Sequence, residues 1–173
     1  MNIVSLIVSL LLLFVTNSSF AQDSVQKWNA LGEDLETLTL VPDKITLFKT
    51  ELVLFRSSLE RYRVGVIRAR DFGWETANVK ALVIASKATL AVNANFFDEN
   101  DQPLGLVMMR GNVFKQIHQG GRTLTGIFAS RGNSISIVHR RDYTPNGVKE
   151  AVQAGPRLIV DGKAITSVDG LSA

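Results

Sequence analysis

Cysteine is absent from the 173 residues. That excludes a disulfide framework, a thiolate metal site, a cysteine nucleophile and a lipidated cysteine anchor. Histidine is scarce. His118 and His139 are the two in the chain, 21 residues apart and without a ligand-spaced partner, so no zinc site is expected. The Gly-x-Ser-x-Gly elbow, the Walker ending and the dinucleotide fingerprint are all missing. The aromatic residues are not interleaved with basic ones, and a net charge of +3 is small. Nucleic acid is therefore not an expected partner. Internal repeats, low-complexity tracts and linkers are also lacking. With 46% hydrophobic and 20% charged residues the composition is that of a folded globular chain rather than a disordered one, and the length suits a single domain.

No charged side chain precedes Asp23, and residues 6–15 form an apolar run. A run of about ten residues is short for a bilayer span, which takes about 20. Ser19-Phe20-Ala21 has the small-x-small form of a signal-peptidase site. Residues 1–21 are read as a signal peptide, with an uncleaved anchor as the alternative. The mature chain then starts at Gln22 and lacks a second apolar span. The expectation is a periplasmic or secreted protein with no stable membrane span after cleavage; its oligomeric state is not legible.

The remainder, 24–173, reads as one α+β domain: a strand-rich, mixed or antiparallel sheet with a few short helices. Residues 24–40 open amphipathically and then alternate. Residues 45–56, 59–68 and 89–97 read as strands, as do 104–109, 113–117, 124–129 and 134–139. Residues 76–87 carry a helical apolar spacing with Thr76 as N-cap, and 147–153 look like a second, short helix. Gly111-Asn112 and Arg131-Gly132-Asn133 suit turns, and Asp161-Gly162 between two short apolar runs is a hairpin signal.

Three stretches are candidates for chemistry. In a strand, Asn93 and Asn95 would share a face with Phe97, either lining a polar cleft or bracing the next loop. That loop, Asp98-Glu99-Asn100-Asp101, holds three carboxylates. They suit general acid–base work or an oxygen-ligand site, or else form a solvated face. It is not an EF-hand, because Pro103 stands where the glycine is needed. From Gln102 to Arg141 there is no acidic residue but there are six basic ones. Within this stretch, Gln119-Gly120-Gly121-Arg122-Thr123 is either an anion cradle built on backbone N–H groups and Arg122 or an ordinary turn. Near the end, Gln153 and Arg157 flank a Gly155-Pro156 bend where a ligand can approach the backbone.

Asn93-Ala94-Asn95-Phe96-Phe97-Asp98, then Pro103-Leu104-Gly105-Leu106 with Arg110-Gly111-Asn112, and then Gln153 through Gly162 occur in this order. The series resembles the phosphodiester glycosidase family, typified by the lysosomal uncovering enzyme that removes N-acetylglucosamine from a sugar-phosphate diester. Each motif alone is unspecific; the three in order are fairly specific. The likeness runs from about Trp28 to Gly162. It departs at Ala94, where glycine is frequent, and at Ala173, where related domains continue into a further strand-rich part. A C-terminally truncated or minimal form of the domain is therefore expected.

The resemblance implies hydrolysis of the bond between an anomeric carbon and a phosphate, with a glycan or sugar-phosphate as partner and no cofactor. It assigns catalytic roles to Asp98, then Glu99, and to Arg157 on the departing phosphate. Asn93, Asn95, Arg122, Gln153, Gly155 and Asp161 would line the substrate. The readings that compete with it are a non-catalytic glycan- or phosphoglycan-binding protein and a structural subunit.

Overall fold

Ten strands, one α-helix and one 3₁₀ turn make up the computed structural model, which describes residues 27–41 and 51–165. The expected signal peptide and residues 45–50 of the expected strand 45–56 lie outside the described residues. The amphipathic opening forms a hairpin, β1 (Asn29–Gly32) and β2 (Leu35–Leu40), and β3 (Leu52–Ser57) pairs along the other edge of β2. Leu35 and Leu38 are buried, and Arg56 lies 4.3 Å over the Trp28 ring while pairing with Glu36.

The expected strand 59–68 is not one. Residues 62–68 join no ladder among the described residues. Burial follows the alternation only in part, since Tyr62 and Val66 are half-buried and Val64 is exposed. Instead the Val66 N–H donates to the Glu150 carboxylate at 3.0 Å, and the other oxygen of Glu150 accepts from the Arg110 N–H at 3.1 Å. Helix α1 (Val79–Ser86) starts later than expected. Asn78, not Thr76, is the N-cap, its side chain accepting from the Ala81 N–H at 2.9 Å. An asparagine amide next to the first apolar turn outcompetes a threonine two residues upstream. Among the described residues no helix is long and apolar enough to cross a membrane.

The main sheet is antiparallel throughout. Its strands are β4 (Val107–Met109), β5 (Asn112–Lys115), β6 (Gly126–Ser130), β7 (Ile135–His139) and β8 (Glu150–Ala154), in the spatial order β5-β4-β8-β6-β7. The expected helix over 147–153 is β8, the central strand. Val148, Ala151 and Val152 have helical spacing, but Ala151, Val152 and Gln153 are all buried. A strand covered on both faces loses its alternation and reads like a short helix. Leu106, Met108, Ile127, Ala129, Val148 and Ala151 form one core cluster against one face of the sheet. The hairpin β9 (Ile159–Val160) and β10 (Lys163–Ala164) follows. Asp161 and Gly162 both have positive φ, +49° and +74°, the two-residue turn expected of Asp-Gly.

Glu150→Ala leaves the Val66 and Arg110 amides without their shared acceptor. We expect a loss of about 1–3 kcal/mol of stability, read from the urea midpoint, with residues 62–68 losing hydrogen-exchange protection first.

Candidate functional site

Gln153 is fully buried, at 0% exposure in the central strand. A primary amide there must satisfy two donors and two acceptor sites. All four are met by backbone. Its Oε1 accepts from the Leu106 N–H at 3.0 Å and the His118 N–H at 2.8 Å. Its Nε2 donates to the His118 carbonyl at 2.9 Å and the Leu124 carbonyl at 2.7 Å. Four chain segments thus meet on one side chain. Gly105 makes room for it, since a Cβ there would stand 2.8 Å from Oε1 and 2.9 Å from the Gln153 Cβ. Gln153 therefore holds the site from behind and has no hydrogen-bonding capacity left for a ligand.

In front of this clamp lies a groove of about 450 Å³. Phe96, Phe97, Leu104 and Leu124 give it apolar walls, and His118, Gly120, Gly121 and Thr123 line it as well. Arg140 fixes that loop by donating to the carbonyls of Gly120, Gly121 and Leu124. The glycine-rich stretch is thus braced by an arginine behind it. Arg122, the arginine within it, is exposed.

Residues 89–97 form no strand, and their sole pairing among the described residues is one bridge, Phe97 to Pro103. Side chains do the work of a ladder. Asn95 Nδ2 donates to the Leu106 carbonyl at 3.3 Å, and Asp98 Oδ1 accepts from the Asn100 and Gln102 N–H groups, both at 2.9 Å. Asp98, half-buried, therefore shapes its loop with one oxygen and keeps the other out of these bonds. Glu99 and Asn93 are exposed.

The middle and the end of the chain do meet. A Cβ on Gly155 would lie 3.3 Å from the Phe96 ring, so that ring rests against the Gly-Pro bend. A Cβ on Gly126 would lie 3.0 Å from the Gly155 carbonyl oxygen and 3.4 Å from Arg157 Cγ, so the Arg157 stem crosses β6 where β6 has no side chain. Phe96, Gly155, Gly126 and Arg157 are thereby contiguous. Asp161, in the β9–β10 turn, Arg122 and Asn93 make no hydrogen bond tying them to this assembly among the described residues. Neither Arg157 nor Arg122 forms an ion pair among the described residues, and no cluster of three or more metal-ligating side chains occurs among them.

One residue of this region escaped the sequence reading. His139 is the cross-strand partner of Gly126, which in turn pairs with Ala154, so the three share one face of the sheet with the Arg157 stem. Partial burial, then Arg157 and Arg141, and last Arg140 hold its pKa below the usual histidine value, against an opposing pull from Asp142. Histidine spacing held no hint of this. The hairpin did, because a turn at Arg131-Gly132-Asn133 pairs 126 with 139.

A family model described as phosphodiester glycosidase matches residues 86–172, half of the chain. The match takes in Asn93 to Asp98, Gly105, Gln153 and the Gly155 to Gly162 segment. No curated protein and no solved structure matches the chain.

Replacing Gln153 by leucine strands two buried amides and two carbonyls; a loss of about 3 kcal/mol or more is expected in urea unfolding, and Gly105→Ala should approach it. A second outcome concerns pH. His139 titrates lower in the folded chain than in the unfolded one, so its stabilising share is intact above about pH 6.5 and is lost as pH falls through the folded value. Thermal midpoints should decline across that interval, and His139→Gln should flatten the decline.

Proposed function

The chain belongs to the phosphodiester glycosidase family, and from that membership we propose that it is an exported hydrolase acting on a glycan phosphodiester of the N-acetylglucosamine-phosphate type. Water would add to the anomeric carbon as the bond from that carbon to the phosphate oxygen breaks. The observation that carries this reading is the contact of Phe96 with the Gly155 bend, which joins the asparagine-rich motif to the arginine of the last motif at the rim of an apolar groove.

A departing phosphate diester becomes a monoester anion, so its stability depends on positive charge more than on a proton donor. Arg157, without a carboxylate partner among the described residues, is the group for that task. Asp98, with Glu99 as second choice, would steady the oxocarbenium-like carbon or orient water. Asn95 and Asn93 would hold sugar hydroxyls, and the Phe96 and Phe97 rings suit the apolar face of a sugar. Gln153 and Gly155 belong to the frame. The leader read at residues 1–21 supports a periplasmic or secreted setting.

One observation favours a second reading, a phosphoglycan-binding protein without turnover. Gln153 and one oxygen of Asp98 are already spent on backbone, leaving few polar groups for chemistry. Purified full-length chain assayed on aryl- or nucleotide-linked N-acetylglucosamine phosphate separates the two. We expect release of free sugar, and a fall of at least about 10²-fold in kcat/KM for Asp98→Ala and for Arg157→Ala. Binding without turnover supports the second reading; wild-type rates in both variants overturn the residue assignments.

A further inference from the structure

The geometry points to His139 as a second anion-binding residue beside Arg157, a neutral imidazole that donates one hydrogen bond to a phosphate oxygen while Arg157 supplies the charge. This rests on the reading that the substrate carries a phosphate.

The pairing register puts His139, Gly126 and Ala154 in one row across β7, β6 and β8. Cross-strand neighbours on one face have Cβ atoms about 5 Å apart. The empty position in that row is Gly126, and the Arg157 stem fills it. The arginine head and the imidazole therefore reach the same patch, next to the bend that carries the Phe96 wall of the groove.

The state of the imidazole follows from its bonds. His139 Nδ1 accepts from the Arg141 N–H at 3.1 Å. A nitrogen that accepts carries no proton, so Nε2 bears the hydrogen and is the donor that remains. The surroundings keep the ring neutral: Arg140 and Arg141 follow it on its own strand end and Arg157 faces it from beyond β8, with Asp142 alone opposing them. Arg140 is occupied with the carbonyls of the glycine loop. Arg157 is the arginine of the group that crosses the row, and its planar fork offers a phosphate two parallel bonds. A tetrahedral oxyanion has further lone pairs, and a neutral, half-buried donor at the side of that fork satisfies one without adding charge.

The chain's two histidines make the test direct. Inorganic phosphate is titrated into the full-length protein at pH 7.5 while both imidazoles are followed by NMR. We expect a saturable shift of the His139 ring signals and little movement of His118, with phosphate also inhibiting sugar release competitively. His139→Ala should weaken phosphate binding about tenfold, His139→Gln, which keeps a donor near the Nε2 position, should recover most of it, and Arg157→Gln should weaken it more than either. An unmoved His139 signal at saturation, or a His139→Ala affinity within twofold of wild type, overturns the inference. The two proposals fail separately. Phosphate binding at His139 without any turnover refutes the hydrolase and leaves the anion site standing; turnover with an indifferent His139 does the reverse.

Discussion

Four hydrogen bonds made by one buried amide, that of Gln153, hold the segments around the groove together. Gln153 sits where no water reaches, and a polar group in that position is tolerable only if every donor and acceptor is met. Meeting them requires the chain before β4, the chain after β5 and the chain before β6 to converge on β8. The groove walls are carried by those same segments: Leu104 lies next to the glycine that admits the amide, and His118 and Leu124 are bonded to it directly. Apolar packing alone would bring the segments near one another. The amide fixes their register, because each bond has a length and a direction.

Glycine supplies the second constraint. At Gly105 and Gly126 it is the absence of a Cβ that counts, rather than any backbone strain. One absence admits Gln153 and the other admits the stem of Arg157. The family motifs thus have a physical reading on this chain. The glycine after Pro103 and the glutamine before Gly155 are two halves of one contact, and the aromatic after Asn95 is the lid on the Gly-Pro bend. The stretch without acidic residues from Gln102 to Arg141 acquires its meaning in the same way. It leaves Arg140 and Arg141 beside His139, where burial, Arg157 and these two arginines hold the imidazole pKa down against Asp142.

Much of the strand pattern was legible. The strands over 107–109, 112–115, 126–130 and 135–139 and the Asp161-Gly162 hairpin follow from short apolar runs bounded by turn residues. The misreadings share a cause. Residues 62–68 and 89–97 have strand-like sequences but, the Phe97–Pro103 bridge aside, no pairing among the described residues, and pairing is a property of the partner. Residues 150–154 were hidden by success: burial on both faces erased the alternation that marks a strand. For the candidate site, the sequence singled out Asn95, Asp98 and Gln153 without showing that each is hydrogen-bonded to backbone. Gln153 looked like a ligand residue because it flanks the bend, and it turned inward because the strand's parity put it on the core side.

The chain's order of residues was enough to establish an α+β, strand-rich architecture and the set of motifs that mark its family, because those depend on local periodicity, turn chemistry and spacing. Which polar side chains face outward was decided only when β8 entered the middle of the sheet. Central insertion buries Gln153, brings Gly155 under Phe96 and sets Ala154 across from Gly126. These are contacts between residues tens of positions apart, and no local pattern encodes a neighbour that far away.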